Sequence, residues 1–234
     1  MHPEAATLWR GPRWALALLL ATLSMLAPFA IDAYLPAFDG MARALDATPV
    51  QMQQTLSVFL FGFAAMNLFH GALSDSLGRR PVVLVALAVF TLASVGCALS
   101  PSVGWLLLFR ALQGMSAGGG MVVARAIIRD LYPPAQAQRV MSQVTIFFGA
   151  APAIAPLVGG LLYVHADWHA VFWLLALIGA AQFGVMWKRL PESLHPSHPS
   201  STLSARFCPS QAPRTVTDQS LGIAQRRDHV VATL

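Results

Sequence analysis

Gly71-Ala72-Leu73-Ser74-Asp75-Ser76-Leu77-Gly78-Arg79-Arg80 lies between two long apolar runs and carries one acid, two adjacent arginines and two glycines. A soluble protein has little use for so compact a charged turn between runs of this length. A chain that crosses a bilayer needs one, because a tight polar turn returns it to the membrane from the same side. The other runs are read outward from this turn.

Composition sets the class. Of 234 residues, 56% are hydrophobic and only 11% charged, where a soluble domain carries about a quarter. So few charges cannot cover a surface in water, and the mean hydropathy of +0.60 agrees. The expected class is an all-α integral membrane protein, since helices satisfy their own backbone groups in lipid. A pI near 10.0 would suit a nucleic-acid binder. Here, however, the arginines stand at the ends of apolar runs, where they report topology. Cys97 and Cys208 fall in an apolar run and a polar stretch, and no disulfide between them is expected. There is no nucleophile–base set and no metal-ligand spacing, so no enzyme, cofactor or metal is expected.

Taken in order, residues 1–13 form a short polar start. Spans are predicted over Trp14–Tyr34, Val50–Leu73, Pro81–Leu99, Trp105–Arg125, Val140–Val164 and Ala170–Trp187, each near the ~20 residues that cross a bilayer. The first run also invites a signal-peptide reading, but it is long for one and further spans follow. Polar connections are predicted around Asp39, Arg43 and Asp46, and again from Arg129 to Arg139. Pro49 and Pro81 suit the first turn of a helix, where a missing N–H costs nothing. Arg10, Arg13, Arg79, Arg80, Arg129, Arg139, Lys188 and Arg189 fall on one side and only Arg43 on the other. The charge bias predicts six spans with both termini cytoplasmic. The six-helix domain is expected over 14–190. From Glu192 the pattern is lost, and 191–234 reads as a disordered cytoplasmic tail; a truncated or frame-shifted coding sequence accounts for the abruptness of the change.

Three ionisable groups lie within or at the ends of spans: Asp32, Arg110 and Arg125. Such groups are costly in hydrocarbon and usually face a cavity or a partner. Asp32 is near one end of the first span, and Arg110 is about two turns into the fourth from the same side. Their depths suit pairing. An acid whose charge answers both to burial and to a nearby cation is a natural proton carrier. The plainer alternative is an interfacial Asp32 that caps or snorkels at the membrane edge. Gln113 shares a face with Arg110. Gln53 and Asn67 share a face of the second span, with His70 nearby; such groups either line a pathway or bond to neighbouring helices, and helix packing is the expected role. Gly114 with Gly118, and Ser116, Gly120 and Ala124, make small-residue seams for close helix approach. Gly118-Gly119-Gly120 is no phosphate loop, since no strand precedes it and no Lys-Ser/Thr follows. In the fifth span Pro152, Pro156 and Gly160 recur every four residues beside Gly149 and Gly159. They predict a bent helix packing closely through that face.

At this point the residues resemble the major facilitator superfamily. Gly71-x-Leu73-Ser74-Asp75-x-x-Gly78-Arg79-Arg80 is similar to its loop between helices two and three. Arg110-x-x-Gln113-Gly114 resembles the helix-four motif, and Pro156-x-x-Gly159-Gly160 the helix-five motif of antiporters. Ile31-Asp32-Ala33-Tyr34-Leu35-Pro36 and Leu190-Pro191-Glu192-Ser193-Leu194 narrow the likeness to Bcr/CflA-type drug:proton antiporters, with all five motifs in order over about residues 8–194. The resemblance implies the six-helix N-terminal half of the major facilitator fold in a bacterial inner membrane. It implies proton-driven export of drug-like small molecules, with cationic ones as one option. Asp32 would respond to protonation and substrate, with Arg110 and Gln113 in proton coupling. Gly71, Asp75, Gly78, Arg79 and Arg80 would form a gate loop, and Pro152, Pro156, Gly159 and Gly160 the antiporter motif. Ser76 stands where the family often has a basic residue, and Ala155 where it often has glycine. Family members pair two halves around the substrate, whereas one half is legible here. Three expectations follow: a half inactive alone, a half-transporter acting as a dimer, or a membrane fragment or interaction protein without flux.

Overall fold

The computed structural model describes residues 13–189, all of whose long elements are helices. α1 (Arg13–Asp32) is followed by a 3-10 turn (Leu35–Ala37) and a two-turn helix (Phe38–Ala44). Then come α2 (Pro49–Leu77), α3 (Arg79–Ala98), α4 (Val103–Leu131), α5 (Pro134–His165) and α6 (Trp168–Arg189). Six helical segments are long and apolar enough to cross a membrane. The sequence therefore yields the expected spans. The stretch 191–234 lies outside the described residues.

The connections differ from the expectation, in one direction. The ten-residue turn at 71–80 contracts to Gly78, because α2 runs to Leu77 and α3 begins at Arg79. Gly78 sits at φ 102° and ψ 152°, a conformation that a β-carbon strongly disfavours. Likewise the connection at Arg129–Arg139 shrinks to Tyr132-Pro133 between α4 and α5. The polar stretch at Asp39–Arg43 is itself helical. α2 and α4 have 29 residues each and α5 has 32. At about 1.5 Å per residue they outrun the ~30 Å hydrocarbon layer and continue beyond it. α2 starts on a capping box, with Thr48 N–H donating to Gln51 Oε1 at 2.8 Å and Gln51 N–H to Thr48 Oγ1 at 3.3 Å.

α4 is the hub. It packs along α2 and α3 and also touches α1, while α1 packs on α5 and α3 on α6. The glycine seam makes this possible. A β-carbon at Gly114 would overlap the Phe59 carbonyl of α2, and one at Gly120 would meet Leu23 of α1 at 2.9 Å. Gly118 and Gly119 receive Asn67 and His70 of α2 in the same way. Asn67 and His70 thus serve α2–α4 packing, whereas Gln53 on the same helix is exposed.

The fifth helix corrects one expectation. Its buried line is Ala151, Ala155 and Gly159, one residue away from the proline line. Pro152 is exposed and Pro156 half-buried. A β-carbon at Gly159 would overlap the Ala33 carbonyl, while one at Gly160 would meet only Pro36, at 3.8 Å. Small size selects the packing face; the prolines, which need not meet a neighbour, turn away from it.

Gly114→Ala and Gly159→Ala are expected to destabilise the purified protein by about 1–3 kcal/mol, the usual cost of overpacking. Gly149→Ala and Gly184→Ala, with nothing within 4 Å of the added atom, are the matched controls and should not destabilise it, helix propensity adding up to about 1 kcal/mol of stability. Thermal unfolding in detergent checks the contrast.

Candidate functional site

The most unusual side chain in the protein is Arg110, which is fully buried. It enters from α4 about 10 Å along from Val103. One guanidinium nitrogen, Nη1, donates to Gln113 Oε1 at 2.7 Å and to the Ala30 carbonyl at 3.3 Å. The guanidinium lies 4.0 Å from the ring centre of Tyr34 and 4.3 Å from that of Phe59. Among the described residues Nε and Nη2 have no hydrogen-bond partner; the aromatic faces take the place of acceptors for them. A desolvated cation–π contact is worth about 2 kcal/mol or more. Two such contacts and two hydrogen bonds hold a permanent cation where none would otherwise be tolerated.

The surrounding shell is hydrogen-bonded outward. Gln113 Nε2 donates to Ser94 Oγ on α3 at 2.7 Å, and Ser94 in turn to the Phe90 carbonyl at 2.7 Å. Tyr34 and Thr55 hydroxyls are 3.3 Å apart, and Thr55 donates to the Met52 carbonyl at 2.6 Å. Four helices thus fix one guanidinium.

The expected Asp32–Arg110 pair is not formed. Among the described residues Asp32 makes no hydrogen bond or ion pair and is half-exposed. The reason is helical phase. α1 turns Ala30 toward Arg110, so Asp32, two residues on, is rotated away by roughly 200°, and Tyr34, in the turn after α1, comes back to the cation. Asp32 sits instead beside Ala33, whose carbonyl carries Gly159 of α5. Arg125, the third ionisable group, is exposed and bonds only within its own helix, to Met121 Sδ.

At the Gly78 end the structure brings the gate-loop residues together differently from one another. Arg79 is buried and binds Ser74 Oγ at 2.7 Å, the Asp75 carboxylate, and Asp130 of α4 through Nε at 3.2 Å. Arg80 points the other way. Its Nη2 donates to the Trp187 carbonyl of α6 at 2.9 Å, and its guanidinium lies 5.9 Å from the Trp187 ring centre. Gly71 joins the Arg79 cluster through its backbone: its carbonyl accepts from Ser74 Oγ at 2.9 Å, while its Cα faces Val122 of α4. Asp130 was the partner the sequence reading missed. Its signal was available: an acid at the end of the fourth span, on the same side as Arg79. Tyr34 and Phe59 carried no such signal, because an aromatic residue in an apolar span reads as packing.

The comparisons with known proteins fit this architecture. The chain belongs to the Major Facilitator Superfamily, whose family profile matches residues 20–227. That match runs past Leu194, where the motif resemblance ends. The chain is similar to the Bicyclomycin resistance protein homolog of Haemophilus influenzae, at 38% identity over 176 residues, covering 75% of this chain and 44% of the relative. It is also similar to Multidrug resistance protein D of Escherichia coli K12, at 34% identity over 192 residues, covering 82% and 49%. Among solved structures, a bacterial homolog of the human lysosomal transporter Spinster, inward-facing and occupied, matches with a TM-score of 0.69 at 19% identity, covering 79% and 45%. The chain spans about half the length of the curated relatives it matches. Its fold is the six-helix N-terminal half of the major facilitator fold, in a multi-pass membrane protein.

Replacing Arg79 with Lys should open the Gly78 end, since an ammonium lacks the fork that spans Ser74, Asp75 and Asp130. Hydrogen–deuterium exchange is expected to rise at residues 72–80 and 128–132 and to stay unchanged around Arg110.

Proposed function

We propose that this chain is one half of a proton-coupled efflux transporter for drug-like small molecules, seated in an inner membrane with both termini cytoplasmic. The single observation that carries the reading is the buried, carboxylate-free Arg110 held between Tyr34 and Phe59. A cation so costly to bury marks a pathway rather than a packing site, and the names of the relatives point to drug resistance. Asp32, accessible and without a partner, is the group that takes up the proton. Arg110 is the fixed cation of the site, linked to Asp32 through α1, which carries both Asp32 and the Ala30 carbonyl that Arg110 binds. Gln113 keeps its orientation.

A second six-helix half completes the cavity, supplied by further chain or by another copy. Its docking faces are those of α2 and α5, the least covered of the six, with 17% and 22% of their apolar windows buried against 56% for α1, α3 and α4. These faces are not purely lipid-like. α2 exposes Gln53, Gln54 and Ser57, and α5 exposes Ser142, Gln143 and Thr145; amide and hydroxyl groups inside a span favour protein or water over hydrocarbon.

Residues 1–189 fused to the second half of the Haemophilus influenzae relative should export a fluorescent cationic dye in a proton-dependent manner, while the chain alone should not. Asp32→Asn and Arg110→Ala in the fusion should each abolish that export. An inserted fusion without export would overturn the transporter reading, and export by the chain alone would overturn the need for a second half.

A further inference from the structure

The six helices divide into two sets of three. Exchanging α1, α2, α3 with α4, α5, α6 maps the close pair α2–α4 onto the close pair α5–α1. The same exchange maps α3–α4 onto α6–α1, and here the correspondence breaks. α3 packs along α4, whereas α6 meets α1 only sparsely. Between them lies a cleft of about 370 Å³, lined on α1 by Thr22, Met25 and Phe29 and on α6 by Ile178, Gln182 and Val185, among others. On each helix these residues recur every three or four positions, so two facing stripes form its walls. No residue of α2 or α5 lines it, so it is separate from the faces assigned to a second half. Arg110, Gln113 and Asp32 do not line it either.

The cleft is almost wholly apolar, with one exception. Gln182 is nine-tenths buried, yet its carboxamide makes no hydrogen bond among the described residues, and its Oε1 is sealed from solvent without a partner. Buried carboxamides are normally bonded, because desolvation without a partner is costly. Thr22 adds a second polar group; its hydroxyl donates to the Leu19 carbonyl at 3.0 Å and keeps its lone pairs free to accept. A second groove, of about 300 Å³ and lined by α2, α3 and α4, makes the contrast. None of its polar side-chain atoms is both sealed from solvent and unbonded among the described residues. His70 Nδ1–H donates to the Met66 carbonyl at 2.7 Å and Ser116 to the Gln113 carbonyl at 3.0 Å. The α1–α6 cleft offers an apolar volume with an unmet hydrogen-bonding group in its wall.

We propose that the α1–α6 cleft is a binding site for a lipophilic small molecule bearing one hydrogen-bonding head, such as a long-chain alcohol, anchored by the Gln182 carboxamide through Nε2, which donates to the head oxygen and, unlike Oε1, is not sealed from the cleft. The apolar stripes take its chain and the amide, with the Thr22 hydroxyl, takes its head. A plain hydrocarbon or a phospholipid tail fills the same volume but leaves Gln182 unmet. This site stands whether or not the chain transports.

The test uses the full chain in lipid nanodiscs and a diazirine-bearing dodecanol as photolabel, with mass spectrometry to locate the adducts. Adducts are expected on residues 19–29 and 178–185, displaced by dodecanol at concentrations at least tenfold below those at which dodecane displaces them. Gln182→Leu should erase that preference, leaving the two competitors equal. Val185→Trp, at a lining position that is itself 44% exposed and so tolerant of change, should block labelling outright; it keeps the site testable should Gln182→Leu fail to insert. Equal displacement by dodecanol and dodecane in the unaltered chain would overturn the proposal in favour of lipid contact. So would labelling of the cleft that persists in Val185→Trp, or a preference for dodecanol that survives Gln182→Leu.

Discussion

The contact of Gly114 with the Phe59 backbone is the constraint on which the rest of the unit depends. In lipid there is no hydrophobic drive between helices, and association rests on close van der Waals packing and interhelical hydrogen bonds. α4 meets that demand by presenting hydrogen in place of a side chain where α2 crosses it. Because Arg110 and Gly114 are one turn apart on α4, the same approach that seats the Phe59 carbonyl on Gly114 delivers the Phe59 ring onto the guanidinium. Further along, Gly120 does the same for Leu23 of α1, the helix that brings Ala30 and Tyr34 to the cation. Packing and charge are therefore one problem in this protein. Removing the glycine seam would separate the rings that make the buried charge bearable.

The lengths, number and order of the helices were legible because lipid imposes a simple demand, an apolar run of sufficient length. The ends were not. Polarity in a sequence marks where a helix leaves hydrocarbon, whereas the helix ends where its hydrogen bonding stops. Ser74, Asp75 and Asp130 are polar, but Arg79 ties them together, so α2 and α4 run on past the point where the sequence turns polar. Only Gly78, with a backbone conformation suited to glycine, stops the chain. The motif residues themselves were legible as a set, and the partner of each was not. Arg110 and Gln113 do bond, as spacing on one helix predicts. Asp32 does not meet Arg110, because matching depth says nothing about helical phase, and the rings that replace it belong to residues with no chemical signature in a chain this apolar.

The arginine pair of the opening stretch illustrates the same limit at the level of function. Arg79 and Arg80 look, in sequence, like a doublet with one task. In the structure they diverge, Arg79 toward α2 and α4 and Arg80 toward the carbonyl end of α6. A cation near the last carbonyls of a helix complements its dipole, so Arg80 steadies α6 while Arg79 closes the α2–α4 end. Both are engaged inside this six-helix unit. The Asp75 side chain, 66% exposed, is the charged group of the stretch that remains accessible. A second half that engages this loop therefore meets a carboxylate already oriented by Arg79, and its approach competes with the ion pair rather than adding to it. What draws Asp75 outward competes with its ion pair to Arg79, and Arg79 is also what holds the ends of α2 and α4 together through Ser74 and Asp130.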